Sequence, residues 1–170
     1  SMFMHGSWMH LIGNMWFLWV FGNNIEDHMG ALRYLAFYLS AGVVATAAHV
    51  LIQVDSTVPL VGASGAIAGV MGAYLVWFPW ARVRTLLFLF VVPLWPRVPA
   101  AMLLVVWFAL QFLTAEGSGV AWVAHVGGFV FGVAIALLAR SNDRFRRRLW
   151  VHRHRTQGTL GRWDNRLGPA

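Results

Sequence analysis

A chain of 170 residues that is 59% hydrophobic and only 11% charged lies outside the range of soluble domains, which average about a quarter charged residues. It is long enough for one domain in a bilayer and no second, soluble one, and with no cysteine it excludes disulfides, thiol nucleophiles and cysteine-ligated metals. The net charge of +7 comes from thirteen arginines against six carboxylates, and nine of those arginines lie from Arg140 onward.

A membrane span needs about 20 mainly apolar residues, and five windows are candidates: 2–21, 31–52, 64–79, 98–113 and 120–139. The first has no basic start and is too rich in Trp and His for a signal peptide. It carries His5, His10 and Asn14 in "HGSWMHLIGN", and the spacing of His10 and Asn14 puts them on one helix face. Polar groups inside spans are costly and point to sites, although a lone one more often makes an interhelical hydrogen bond. His49, in the second window, is left with that role.

The third window opens on "GASG". From Ser64 to Pro79 it would make about 24 Å of helix against a hydrocarbon core of about 30 Å, so Ser64 is expected below the outer surface. The loop 53–63 must then dip into the protein, which is tolerated where it lines a cavity or is packed; short, glycine-interrupted segments point to sites. "TLLFLFVVPL" (85–94) is too short to span and is followed by Pro96 and Pro99, which suggests an interfacial or re-entrant piece. The last window holds His125 in "AHVGGFVFG".

Arginines alternate between connections: Arg33 adjoins the first, and Arg82, Arg84 and Arg97 sit in the third, whereas the second and fourth carry only Asp55 and Glu116. Five antiparallel helices with a cytoplasmic C-terminus satisfy that alternation. The first residue then lies outside, and at least one earlier helix is expected to be missing. The transmembrane domain is assigned to 1–140 and a basic tail to 141–170, whose arginines fit the cytoplasmic side and anionic headgroups rather than nucleic acid.

Gly65-x3-Gly69 and Gly128-x3-Gly132 are small-residue faces that let helix backbones touch. Their packing would bring Ser64 to His125, and a hydroxyl within reach of an imidazole is the requirement for serine activation. No acidic residue lies within an apolar window, so a dyad is expected, with the imidazole oriented by packing. The chain has no His-Glu-x-x-His and no pair of membrane aspartates, and a metal set of His5, His10 and His125 is disfavoured. No metal or cofactor is assigned.

"HGSWMHLIGNMWFLWVFGNNIED", then "GASG", then "AHVGGFVFG" resemble the rhomboid intramembrane serine proteases from about residue 3 to 139. The resemblance implies an all-α, polytopic bundle with five of the usual six helices present, the first helix and its outer loop having no counterpart. It implies Ser64 as nucleophile, His125 as general base, and His10, Asn14 and the Ser64 backbone N–H as the oxyanion hole. His5, Gly62, Gly65, Gly128 and Gly132 match supporting positions. An aromatic that some members stack on the histidine is replaced here by Ala68, which changes how His125 is held. The implied activity is cleavage of peptide bonds in or near transmembrane segments of other membrane proteins, and a bacterial inner membrane is the expected location. The alternatives are an inactive rhomboid-like protein that binds clients, whose relatives usually lack the serine or histidine, and a transporter-like bundle, which requires an internal repeat that is absent.

Overall fold

The structure is a computed structural model that describes residues 2–55, 60–89, 92–113 and 121–140. Among these are five helices: α1 (Trp8–Met29), α2 (Ala31–Ile52), α3 (Ser64–Trp77), α4 (Ala100–Leu113) and α5 (Trp122–Arg140). Two compact units are distinguished, residues 1–136 and 137–170. Of the second, only the closing turn of α5 is described, so the expected basic tail falls outside the described residues.

The expected α1 was 2–21, whereas the helix runs to Met29. Hydropathy stops at "GNNIED", but a helix needs continuous backbone bonding, not continuous apolarity. Its start is set by Ser7, whose Oγ accepts from the His10 N–H at 3.1 Å, as an N-cap residue does. Its end is set by Gly30 at φ 83°, a backbone conformation that glycine adopts without a Cβ clash. The second window matches α2 residue for residue. The third helix is shorter than expected, 14 residues ending at Trp77 before Pro79.

Residues 82–89 pair antiparallel with residues 92–99 as a two-stranded ribbon, within which the segment expected to be interfacial or re-entrant falls. Strand β1 (Arg82–Arg84) pairs with β4 (Arg97–Pro99), and inside them β2 (Leu87–Leu89) pairs with β3 (Val92–Leu94). The prolines that stop a helix here are tolerated in a two-stranded ribbon, where each strand has one unpaired edge. The ribbon base joins the two flanking helices, because Ala100 N–H donates to Ala81 O at 2.8 Å and Ala101 N–H to Pro79 O at 3.0 Å. Val98 and Pro99 therefore belong to a strand, and α4 begins at Ala100.

The bundle turns many of its large apolar side chains outward. Trp8, Trp16, Trp19, Leu32 and Leu51 are exposed, whereas every α3 residue from Gly65 to Tyr74 is buried. Lipid tails are as apolar as leucine, so burying area gains little there, and close packing of small residues holds such helices together. Among the described residues, two helices, α2 and α5, are long and apolar enough to cross a membrane; α3 and α4 are shorter apolar helices.

Helix α3 is the axis of this packing. A Cβ on Gly65 would sit 2.7 Å from Ala45 Cβ, and one on Gly69 2.6 Å from Ala41 Cβ, both on α2. On α5, a Cβ on Gly128 or Gly132 would run into the carbonyl oxygen of Gly65 or Gly69 respectively. Gly72 continues the seam against Phe129 O, and Gly127 abuts Ala48 of α2. Further along, Phe21 and Tyr74 meet edge to face with centroids 5.0 Å apart, and Asn24 Nδ2–H donates to the Tyr74 hydroxyl at 2.8 Å.

Candidate active site

The N-terminus of α3 has no side-chain cap. Its first intrahelical bond is Ile67 N–H to Ala63 O at 3.0 Å, which leaves the N–H groups of Ser64, Gly65 and Ala66 without acceptors in the helix. Those groups and the aligned peptide dipoles favour negative charge there. Ser64 stands at the first helical position, half-buried.

The glycine seam sets the distance from Ser64 to α5. Gly65 follows the serine directly, and Gly128 lies one turn after His125. Because α3 and α5 touch at these glycines, Ser64 Oγ and His125 Nε2 lie 2.7 Å apart. The imidazole is buried, and its Nδ1 lies 2.6 Å from Gln111 Oε1 on α4. Trp107, one turn earlier on α4, packs against the same ring with centroids 5.8 Å apart.

Asn14 and His10 approach from α1. A Cβ built on Gly62 would lie 2.7 Å from His10 Cε1, 2.8 Å from His10 Nε2 and 3.6 Å from Asn14 Nδ2. Both side chains therefore converge on the backbone two residues before the serine. Asn14 is buried, and its Nδ2 has no hydrogen-bond partner among the described residues. A buried donor left unpaired costs about 1–3 kcal/mol, so this amide is available to an incoming acceptor. His5 packs edge-on against His10 at 5.2 Å. His49 is buried on α2, and its Nδ1 makes no hydrogen bond among the described residues.

Gly62 has φ 113°, and its missing Cβ makes room for the His10 ring. Gly62→Ala is expected to cost about 1–3 kcal/mol through backbone strain, and to displace His10 as well. A thermal midpoint in detergent equal to wild type would contradict this.

Ser64 and His125 thus stand within hydrogen-bond reach, while His10 and Asn14 close on Gly62, two residues before the serine. Two neighbours were not expected, Trp107 and Gln111. The imidazole is held by α4 and not by packing alone, through Gln111 and the Trp107 ring. Gln111 is the single amide in "AMLLVVWFALQFL", and a polar group in an apolar run is itself a signal. Trp107 lies four residues earlier, on the same helix face.

These features define an integral-membrane helical bundle with a hydroxyl–imidazole pair set among its helices. The chain belongs to the rhomboid family: the Rhomboid domain matches residues 1–142. It is 33% identical over 139 residues to Rhomboid protein 1, mitochondrial, of Saccharomyces cerevisiae, covering 78% of this chain and 38% of that protein. Presenilin-associated rhomboid-like protein, mitochondrial, of Bos taurus is 32% identical over 140 residues, covering 78% and 35%. Rhomboid-like protein 11, chloroplastic, of Arabidopsis thaliana is 39% identical over a shorter stretch, covering 39% and 24%. The chain thus spans little more than a third of the length of the first two. The expected bacterial inner membrane is corrected by these relatives, because those that match most of the chain are mitochondrial proteins.

Proposed function

We propose that this chain is the core of an intramembrane serine protease that cuts peptide bonds in or near the transmembrane segments of other membrane proteins. The observation that carries the reading is the 2.7 Å approach of Ser64 Oγ to His125 Nε2 at the uncapped start of a buried helix. The names of the relatives favour a mitochondrial membrane as its setting.

Ser64 Oγ attacks the substrate carbonyl carbon while its proton passes to His125 Nε2. The carbonyl oxygen becomes an oxyanion beside Asn14 Nδ2–H, the His10 ring N–H and the Ser64 backbone N–H. Donors held in place before charge develops cost no reorganisation at the moment of reaction. His125 then protonates the leaving amine, leaving an acyl-serine. Water adds to it, giving one proton to His125, and the proton returns to Ser64 as the new carboxyl group leaves. An intact substrate helix hides its carbonyls in backbone hydrogen bonds, so small or helix-destabilising residues at the cut favour entry.

The test is reconstitution in liposomes with a reporter peptide carrying one transmembrane segment, with products identified by mass. A cut in or near that segment is the expected result, and a correctly folded protein that neither cuts it nor takes up a fluorophosphonate would overturn the proposal. Asn14→Ala is expected to lower kcat by about 10²–10³-fold with little change in KM, as loss of one oxyanion donor does. A rise in KM at constant kcat would assign Asn14 to ground-state binding instead.

A further inference from the structure

Gln111 Nε2 lies 3.2 Å from the backbone oxygen of Trp107, one turn back on α4. A carbonyl only accepts, so the amide must turn its NH2 group toward Trp107. Its Oε1 then faces His125 Nδ1 at 2.6 Å. An amide oxygen also only accepts, so Nδ1 must carry the ring proton. In a neutral imidazole the other nitrogen is then bare, and that nitrogen is Nε2, the one 2.7 Å from Ser64 Oγ. The serine hydroxyl therefore donates to Nε2, which is the direction proton removal requires.

The orientation follows without any carboxylate. It passes from the Trp107 carbonyl to the Gln111 amide, from there to the imidazole, and from the imidazole to the hydroxyl. Gln111 is itself buried, in surroundings where a neutral amide is far cheaper than an ionised acid. The reversed ring tautomer would place an N–H against the hydroxyl and leave Gln111 Oε1 facing a bare nitrogen.

We propose that Gln111 is a positioning residue for the Ser64–His125 pair, its amide oxygen holding His125 in the tautomer that leaves Nε2 free to accept the serine proton. The proposal rests on the reading of Ser64 as nucleophile and His125 as base. Gln111→Leu keeps the approximate volume and removes the acceptor. Gln111→Glu keeps an oxygen toward Nδ1 and, when protonated, a donor toward Trp107 as well.

The first measurement is the rate of fluorophosphonate labelling and the kcat and KM for a reporter peptide, with thermal midpoints as the folding control. Gln111→Leu is expected to slow labelling and kcat by about 10- to 100-fold at unchanged KM, as partial loss of a general base does. Gln111→Glu is expected to stay within about fivefold of wild type, since the acceptor that orients the base is kept. Labelling of Gln111→Leu at the wild-type rate, or of Gln111→Glu as slowly as Gln111→Leu, would overturn the proposal.

The second measurement needs no folded Gln111 variant and no activity. The ring 15N resonances of His125, assigned by their loss in His125→Ala, report which nitrogen is protonated. A protonated Nδ1 is expected in wild type and also in Ser64→Ala, because Gln111 and not the serine sets the tautomer. A protonated Nε2 in either protein would sink the role given to Gln111 whether or not the chain cuts anything. Absence of all cleavage and labelling, with Nδ1 protonated, would count against the protease reading alone.

Discussion

Ser64→Ala is expected to abolish both fluorophosphonate labelling and peptide cleavage, and His125→Ala to reduce them nearly as far. An unassisted serine is a poor nucleophile at neutral pH, so neither half of the pair does much without the other. Loss of either member of such a unit costs on the order of 10⁴- to 10⁶-fold in kcat. For the same reason the double variant is expected to be no slower than Ser64→Ala alone. The structural cost is small by comparison, because one hydrogen bond contributes about 0.5–1.5 kcal/mol net. The thermal midpoint of Ser64→Ala should thus stay within a few degrees of wild type while activity vanishes. Labelling that persists in Ser64→Ala, or a double variant much slower than either single one, would remove these two residues from the chemistry.

The second large effect is expected far from any reacting atom, at Gly132. A Cβ there meets the Gly69 carbonyl oxygen, with Gly69 C at 2.7 Å and Gly69 Cα at 2.9 Å. Backbone cannot rotate aside as a side chain can, so Gly132→Val must part α3 from α5 by about an ångström or more. Overpacking of this kind costs about 1–3 kcal/mol or more, and a misplacement of 1 Å at reacting groups costs about 10²-fold in rate. Gly132→Val should therefore lose stability and labelling together, with kcat falling more than KM rises. Gly13→Ala is the matching control, since a Cβ there has nothing within 4 Å and removes helix-interior glycine, a gain of about 0.5–1 kcal/mol. Equal behaviour of the two variants would show that the seam does not hold Ser64 against His125.

Both expectations concern features that were legible to different degrees. Ser64 and His125 stood out because a hydroxyl between glycines and an imidazole in an apolar run are polar groups that are costly to bury without a partner. The paired small-residue faces gave a reason for them to meet. Gln111 carried the same kind of signal, one amide in an apolar run, but nothing local said which helix face it occupied or what lay opposite. Gly72 and Gly127 extend the seam through contacts made across helices, which a glycine pattern on one helix does not reveal. The end of α1 was misplaced because apolarity was used as the boundary, whereas the chain stops at Gly30. The strand pairing of 82–89 with 92–99 was missed because its strands are three residues each, too short for alternation to be read.

Composition and pattern by themselves determined that the chain is a membrane helical bundle, where four of its five helices begin to within two residues, and which side chains are candidates for chemistry. These follow from local physics: apolarity sufficient for lipid, glycine where a Cβ is excluded, polar groups too costly to bury idly. Only the tertiary structure decided the register of α3 against α5, the convergence of His10 and Asn14 on Gly62, and the Gln111 oxygen at His125 Nδ1. Each of these is a relation between residues distant in sequence, set by how closely backbones pack. A tautomer in particular depends on which atom faces the ring, and no one-dimensional pattern contains that.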